Sequence, residues 1–172
     1  MVWLSHVKDF EFKTAVVTVS TSRFKKYGKM KGLDKIPEDD ESGKILVQNI
    51  PNVVEYILIP DEIEEIRKTV LDLLKDVDVC ILTGGTGLSP KDVTIEALEK
   101  FFTKKIDGFG EIFRMLSYQE IGFDAILSRA TAGVVGDKVI FCLPGSSKAV
   151  KLGIKIIQSS LKHILSHVKG LA

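Results

Sequence analysis

A glycine-rich loop and two aspartates are the residues of this sequence with the clearest chemical potential. The loop Gly84-Gly85-Thr86-Gly87 follows an apolar run, and Asp92 comes shortly after it. Asp61 follows a second apolar run, within Pro60-Asp61-Glu62. Glycine lets backbone N–H groups approach an anion closely, and Mg²⁺ in proteins prefers one or two carboxylates together with substrate phosphates. The pattern therefore predicts a site for a phosphorylated ligand and magnesium.

Each of these features also has a purely structural interpretation. Glycines serve tight strand-to-helix packing where φ must be positive. Asp61 has Glu64 three residues later, as in a capping box, and Asp92 precedes another predicted helix. Standard nucleotide fingerprints are missing, because GxxxxGK[ST] is absent and Pro90 stands where GxGxxG needs its third glycine. From these residues alone, both interpretations stay open.

Five short runs rich in valine and isoleucine predict a mainly parallel sheet. Four of them are apolar on consecutive positions, which is typical of strands that are covered on both faces. These four are residues 14–20 (TAVVTVS), 53–59 (VVEYILI), 77–83 (VDVCILT) and 138–143 (KVIFCL). The fifth run, residues 131–135, is joined to the last by Gly136-Asp137, which predicts an antiparallel hairpin.

Helical patterns separate the strands. Residues 62–75 and 150–168 each carry an apolar stripe with helical spacing, and residues 94–102 and 109–117 predict shorter helices. Strands that alternate with helices predict an α/β fold with right-handed crossovers. Residues 21–41 show no periodicity, and we interpret them as either a mobile functional loop or a solvated flexible segment.

The ends of the four parallel strands are polar or glycine-rich. In a parallel sheet the carboxyl ends share one edge, and ligands bind in the crevice outside it. The four exits read STSR at 20–23, PDE at 60–62, GGTG at 84–87 and PGSSK at 144–148. One such exit is an ordinary turn, but four on one edge indicate a binding site. Lys148 either neutralises phosphate charge there or is an ordinary solvated lysine.

Composition excludes several classes of protein. The chain has 172 residues, of which 45% are hydrophobic and 27% charged, as expected for one soluble globular domain. Its formal net charge of +1 gives no basic footprint for nucleic acid. No apolar run approaches the roughly 20 residues of a membrane helix, and MVWLSHVKDFEF lacks the order of a signal peptide. Cys80 and Cys142 lie in apolar runs and predict buried free thiols in a reducing compartment, so the cytosol is the predicted location.

Seven segments of the chain carry a recognisable family pattern. The most specific feature is the combination of TGGTGLSPKDVTIEAL at 83–98 with GFGEIFRMLSYQEIG at 108–122 and SRATAG at 128–133. The other segments are TVS at 18–20, DDESG at 39–43, IPDE at 59–62 and LPGSSKAV at 143–150. Together they resemble the MoaB/MogA family of molybdenum cofactor biosynthesis proteins, and its MoaB branch in particular. The resemblance covers most of the chain from about residue 14 onward.

The resemblance implies a three-layer α/β/α domain over residues 14–172, with one antiparallel strand in a mainly parallel sheet and an N-terminal arm at residues 1–13. It implies assembly as a trimer or a pair of trimers. It also implies transfer of AMP from ATP to molybdopterin with Mg²⁺, where Asp61 and Asp92 fall on the family's catalytic acidic positions and would ligate the metal. The residues predicted to bind cofactor and substrate are Ser20, Thr83, Gly84, Gly85, Thr86, Gly87, Ser128, Arg129, Pro144, Gly145, Ser146, Ser147 and Lys148.

Two other functions remain open from the sequence. A protein of the same fold could bind molybdopterin, or act as a scaffold, without catalysis; the presence of both acids favours the enzyme. A flavodoxin-like flavin binder would use the same edge of the sheet, but none of the four exits offers an aromatic side chain to stack on a flavin. One position departs from the family pattern: many members of the family read PGN or PGQ where this chain has Pro144-Gly145-Ser146.

Overall fold

A seven-stranded mixed sheet forms the centre of the protein in the computed structural model, which describes residues 9–172. The strands are β1 (Thr14–Val19), β2 (Met30–Lys31), β3 (Val53–Ile59), β4 (Val79–Thr83), β5 (Lys104–Lys105), β6 (Thr131–Val135) and β7 (Lys138–Leu143). Their order across the sheet is β2-β3-β1-β4-β7-β6-β5. Most of the predicted N-terminal arm, residues 1–8, lies outside the described part of the chain.

The central strands β3, β1, β4 and β7 are parallel, which confirms the prediction. All residues of β1 and β4 are buried, because helices cover both faces of the sheet. The predicted hairpin is also confirmed: β6 runs antiparallel to β7, and Gly136 between them has φ +63°. The prediction of a single antiparallel strand was incomplete, because the edge strand β2 also runs antiparallel to its neighbour β3. The other edge strand, β5, pairs antiparallel with β6 and therefore runs in the same direction as the central strands.

Six α-helices accompany the sheet in the described residues. They are α1 (Thr21–Tyr27), α2 (Glu41–Asn49), α3 (Ile63–Leu73), α4 (Thr94–Leu98), α5 (Asp107–Ile121) and α6 (Ser147–Val168). Short 3₁₀ turns follow α4 at Glu99–Phe101 and α5 at Gly122–Leu127. The four predicted helices correspond to α3, α4 with its 3₁₀ turn, α5 and α6.

The interpretation of residues 21–41 as an irregular segment was wrong. This segment contains α1 and β2, and α2 begins at its end. Ser20 caps α1 by accepting a hydrogen bond from the N–H of Arg23 at 3.4 Å, and β2 pairs with β3. Both elements are too short to display a periodic pattern, which is why the sequence did not reveal them.

Two hydrophobic cores lie on opposite faces of the sheet. Val16 and its neighbours on one face pack with α2, α5 and α6, whereas Val17 and its neighbours on the other pack with α3 and α4. This arrangement confirms the three-layer α/β/α fold. Cys80 and Cys142 are buried free thiols, and burial raises the pKa of Cys142 to about 12. Within residues 9–172, no helix is both long and apolar enough to cross a membrane.

A buried hydrogen-bond network around Asp40 joins α2 to the sheet. The Asp40 side chain is fully buried and accepts hydrogen bonds from the Gly43 N–H at 3.0 Å, the Thr18 hydroxyl at 2.6 Å and the Tyr56 hydroxyl at 2.5 Å. Burial and the bond to Asp40 raise the pKa of Tyr56, so its hydroxyl stays a donor. From α2, Ser42 donates to the Gly145 carbonyl at 2.8 Å. The network therefore fixes α2 against the turn that follows β7.

Replacing Asp40 tests the importance of this network. Asp40→Asn replaces one acceptor oxygen by an NH₂ group that faces donors, so a buried polar group loses its partner. We expect the free energy of unfolding to fall by about 1–3 kcal/mol, measured by urea denaturation. Asp39→Asn is the matched control. The Asp39 carboxylate, next to Asp40 in the sequence, is exposed and pairs with Arg23 and Lys26, so the urea midpoint of this variant should stay near that of the wild type. Equal effects of both substitutions would contradict the assignment.

Candidate functional site

The carboxyl ends of the four parallel strands lie along one edge and are joined there by hydrogen bonds. The Ser20 N–H donates to Ile59 O at 2.9 Å, and the Gly84 N–H donates to Leu143 O at 3.0 Å. The Thr83 hydroxyl donates to Pro144 O at 3.0 Å. Because β6 is antiparallel to β7, residues 128–130, which precede β6, reach the same edge. The predicted convergence of the four exits is therefore present.

Asp61 lies beside the glycine loop and does not cap the helix that follows it. Its Oδ2 accepts hydrogen bonds from the N–H of Thr21 at 3.0 Å and from the Thr21 hydroxyl at 2.7 Å. The N-cap of α3 is Glu62, and no side chain among residues 9–172 caps that helix. The other oxygen, Oδ1, would lie 2.8 Å from a Cβ added at Gly85. The capping-box interpretation of Asp61 was thus wrong.

Asp92 lies against the same loop, two residues further along. Its Oδ2 accepts a hydrogen bond from the Ser89 N–H at 3.1 Å, and the N-cap of α4 is Val93. A Cβ added at Gly87 would lie 2.6 Å from this oxygen. The structure therefore places both predicted acidic residues in contact with the glycine loop, and neither one caps the helix that follows it.

The loop itself has a conformation that only glycine adopts easily. Gly84 has φ +97° and Gly85 has φ +67°. A Cβ at Gly84 would collide with the carbonyl oxygen of Val19, and one at Gly85 would collide with the hydroxyl of Thr94. The structural interpretation of these glycines is therefore correct, and it is compatible with the binding role.

The four successive backbone N–H groups of residues 85–88 have no acceptor among the described residues. Every carbonyl of residues 84–87 accepts a hydrogen bond: Thr94 donates to the first two, through its hydroxyl at 2.9 Å and its N–H at 3.0 Å. Arg129 donates to the last two, through Nε at 3.0 Å and Nη2 at 2.8 Å. By contrast, the N–H groups of residues 85–88 donate to nothing in the described part of the chain. Unpaired successive N–H groups are what a backbone anion site offers.

The turn before α6 provides a second set of polar groups at this edge. Ser146 caps α6, its hydroxyl accepting a hydrogen bond from the Ala149 N–H at 3.2 Å. Gly145 and Lys148 are exposed, and Lys148 forms no ion pair with any described residue. The positive end of a 22-residue helix faces the edge here, which favours an anion.

Two predicted residues, Thr83 and Thr86, have buried side chains. Thr83 and Thr86 are 1% and 4% exposed, so their side chains offer little surface to a ligand. The Thr83 hydroxyl joins two strand exits, as described above. Thr86 contributes through its backbone N–H, which is one of the four unpaired donors.

Ser128 and Arg129 line a cavity of about 350 Å³ at this edge, together with charged side chains from α5 that include Arg114. The guanidinium of Arg129 is already engaged by the loop carbonyls and by Glu96, with which it forms an ion pair. The hydrogen bond from Arg129 lowers the pKa of Glu96. Arg129 therefore differs from Lys148, whose charge is not neutralised by any described ion pair.

Sequence reasoning missed three residues of this site. Thr21 holds Asp61, Thr94 holds the first half of the loop, and Glu96 holds Arg129. Thr21 lay in the segment that was interpreted as irregular, and the other two lay within the family segment at 83–98, whose pattern gave neither of them a role. Only their partners in space reveal their roles.

The fold and the site define a class: an α/β/α protein that presents an anion-type glycine loop and two acidic residues at the carboxyl edge of a parallel sheet. Comparison with known proteins identifies the family. A family model described as "Probable molybdopterin binding domain" matches residues 15–163. The chain belongs to this family, which confirms the resemblance to MoaB and MogA proteins.

Individual relatives cover nearly the whole chain. A protein of Methanocaldococcus jannaschii named "Probable molybdopterin adenylyltransferase" is 43% identical over 166 residues, covering 95% of this chain and 98% of the relative. The molybdopterin adenylyltransferase of Pyrococcus furiosus is 37% identical, and 92% of each chain is covered. The crystal structure of the tungsten cofactor synthesizing protein MoaB from Pyrococcus furiosus superposes with a TM-score of 0.83 at 36% identity, covering 94% of this chain and 99% of that one.

Substitution of Gly85 tests the loop geometry. In Gly85→Ala the new Cβ meets Thr94 and Asp61 at a residue with positive φ, so the loop must change conformation. We expect the affinity for inorganic pyrophosphate, measured by calorimetry, to fall by at least about tenfold, which is 1.4 kcal/mol. Gly108→Ala is the control, because a Cβ there meets no described atom within 4 Å. Unchanged pyrophosphate affinity in Gly85→Ala would refute the anion-binding role of the loop.

Proposed function

We propose that the protein is a molybdopterin adenylyltransferase that transfers AMP from ATP to the terminal phosphate of molybdopterin and releases pyrophosphate, with Mg²⁺ as cofactor. The observation that carries the proposal is the contact of both Asp61 and Asp92 with a loop whose N–H groups are unpaired. The names of two relatives more than a third identical support the same activity. The cytosolic location stays a prediction from composition.

The reaction suits a site without a protein nucleophile. An oxygen of the molybdopterin phosphate attacks the α-phosphorus of ATP, a new P–O bond forms, and the bond to the β-phosphate breaks as pyrophosphate leaves. The protein has to hold two anions in line, and good orientation can account for roughly 7–11 kcal/mol of a barrier. Backbone donors that stabilise developing charge are worth about 2.7–4 kcal/mol each. We assign this work to the N–H groups of residues 85–88 and to the positive end of α6.

The two acids have the ligand chemistry that magnesium requires. Mg²⁺ is commonly held by one or two carboxylates together with phosphate oxygens and water. In Asp61, Oδ2 is taken by Thr21, so Oδ1, which lies against Gly85, is the oxygen available to a metal. In Asp92, Oδ2 accepts only one hydrogen bond from the described residues, at 3.1 Å. A bound Mg²⁺ would neutralise phosphate charge at this position.

The remaining predicted residues complete the substrate site in this proposal. Ser20 and the PGSS turn follow β1 and β7 at the same edge, and Ser128 lines the cavity beside the loop. The exposed Lys148 adds a positive charge next to the α6 terminus. We assign phosphate binding to the loop and the α6 turn, and binding of the rest of the substrate to Ser20 and Ser128.

Removal of either acidic charge tests the proposal. Asp61→Asn and Asp92→Asn should each lower the turnover number by about hundredfold or more, because the developing phosphate charge loses its metal, while molybdopterin binding persists. The assay incubates the protein with ATP, Mg²⁺ and molybdopterin and measures both adenylylated pterin and pyrophosphate. Asp72→Asn, at an exposed carboxylate of α3 that pairs with Lys75, is the control and should leave turnover unchanged.

The same assay separates the enzyme from its alternative. Near-normal turnover in both variants would remove the two acids from the mechanism. A wild-type protein that binds molybdopterin but forms no adenylylated product would instead be a non-catalytic binding or scaffold protein of this fold.

We further propose that the protein forms a homo-oligomer, a trimer or a pair of trimers, through an apolar face on α5 and the turn after it. The exposed apolar side chains of this face are Ile112, Met115, Tyr118, Ile121, Phe123, Ile126 and Leu127. The first four recur every third residue of α5, so each is the surface neighbour of the next, and both Phe123 and Ile126 are 77% exposed. Contiguous exposed apolar surface of this kind marks an interaction site on soluble proteins.

A charge in this face should dissociate the assembly. Ile126→Asp places a carboxylate where the apolar surfaces would meet, so its desolvation opposes association. We expect light scattering after gel filtration to change from an oligomeric to a monomeric mass. Leu33→Asp, at an exposed leucine outside the face, should stay oligomeric. A monomeric wild type would contradict the proposal.

A further inference from the structure

The glycine loop is held by two residues that lie outside it: Thr94, through its hydroxyl and its backbone N–H, and Arg129, through its guanidinium. Thr94 occupies the carbonyl oxygens of Gly84 and Gly85, and Arg129 occupies those of the next two residues. Thr94 is fully buried, and Arg129 is 43 residues away from the first carbonyl that it binds. All four carbonyls between the strand and the exposed Leu88 therefore face these two residues.

The planarity of the peptide bond converts these contacts into an orientation of the N–H groups. In a trans peptide unit, the C=O of one residue and the N–H of the next point in opposite directions. The described part of the chain contains no cis peptide bond. A donor that fixes the carbonyl of residue 84 thus also directs the N–H of residue 85 away from that donor. Applied to four successive units, the rule accounts for the unpaired N–H groups of residues 85–88.

Without such contacts the loop would be free to reverse a peptide unit. Glycine adopts positive and negative φ with similar ease, so Gly84, Gly85 and Gly87 add little restraint of their own. A reversed unit would turn a carbonyl oxygen, instead of an N–H, toward a bound phosphate. Fixed donors stabilise charge without the cost of reorganisation, so the restraint has a direct functional value.

Arginine is suited to this task, and lysine is not. The guanidinium is a rigid planar fork, so Nε and Nη2 can reach two neighbouring carbonyls at 3.0 and 2.8 Å at once. Its third nitrogen, Nη1, donates to Glu96, which fixes the plane of the fork and neutralises its charge. Arg129 in this state is a poor phosphate ligand but a precise support for the loop.

We propose that Arg129 and Thr94 are positioning residues that preorganise the phosphate-binding N–H groups of the loop from behind and do not contact the substrate. The proposal gives Arg129 a role different from direct cofactor binding. Only its predicted effect on catalysis rests on the proposed function. The orientation of the loop can be tested by anion binding alone.

The first experiment titrates inorganic pyrophosphate into ¹⁵N-labelled protein and follows the amide resonances of residues 85–88. In the wild type these resonances should shift as pyrophosphate binds. In Arg129→Lys and Thr94→Val the dissociation constant should rise by at least about tenfold. Thr94→Ser keeps the hydroxyl and should therefore bind pyrophosphate with the affinity of the wild type. If Thr94→Val lost affinity only through altered packing, Thr94→Ser would not restore that affinity.

Arg67 offers a matched control for Arg129. Its Nε donates to the carbonyl of Ala97 at 3.1 Å and its Nη1 donates to Glu64, so where α3 meets α4 it also joins a backbone carbonyl to a carboxylate, with one carbonyl in place of two. Arg67→Lys should therefore leave pyrophosphate binding unchanged. In addition, methylguanidinium should partly restore pyrophosphate affinity to Arg129→Ala, whereas methylammonium, which lacks the fork, should not.

The outcomes separate this inference from the proposed activity. Wild-type affinity for pyrophosphate in both Arg129→Lys and Thr94→Val, or the absence of any pyrophosphate shift at residues 85–88 in the wild type, would overturn it. If the variants lose pyrophosphate affinity while the wild type fails to adenylylate molybdopterin, the positioning role stands and the proposed reaction falls. In an active enzyme, Arg129→Lys should lower turnover by about tenfold or more, and Arg67→Lys should not.

Discussion

The burial of both faces of four parallel strands is the constraint on which the rest of this structure depends. Parallel neighbours cannot be joined by a short hairpin, so each connection has to cross the sheet and leave from the same edge. In this chain the crossings that cover β1, β3, β4 and β7 form the two outer layers, whose cores lie on opposite faces of the sheet. The exits of β1, β3, β4 and β7 are therefore brought together by packing, before any ligand is present.

The site at that edge combines groups that would otherwise repel one another. Asp61 and Asp92 are acids in contact with a loop suited to phosphate, and a loop of bare carbonyls would add further negative charge. The protein avoids this by turning the carbonyls of residues 84–87 toward Thr94 and Arg129 and leaving the N–H groups free. The acids and the amides can then act together, because a divalent cation is compatible with both the carboxylates and the phosphates.

The sequence predicted the elements that have a repeating apolar pattern and missed the contacts between residues that are distant along the chain. Strands buried on both faces have continuous apolar patterns, so their number in the core and their parallel direction were predictable, and the topological rule then placed Asp61 and Asp92 at one edge. The elements α1 and β2 were missed because seven and two residues are too few for periodicity. The support of the loop by Arg129 joins residues 43 apart, and the bond between Thr21 and Asp61 joins residues 40 apart. No local pattern encodes such pairs.

The turn after β7 repeats the arrangement found in the glycine loop. The Pro144 carbonyl accepts from the Thr83 hydroxyl at 3.0 Å, and the Gly145 carbonyl accepts from Ser42 at 2.8 Å. By the same planarity, the N–H groups of Gly145 and Ser146 point away from these donors, and neither finds an acceptor within residues 9–172. Ser42 is in turn fixed by α2, whose first turn is anchored by the buried Asp40. Two strand exits thus acquire free amides in the same way, because hydroxyl groups of the scaffold hold carbonyls at both. The buried polar network of the fold therefore helps set the electrostatics of the edge at which we propose that the substrates bind.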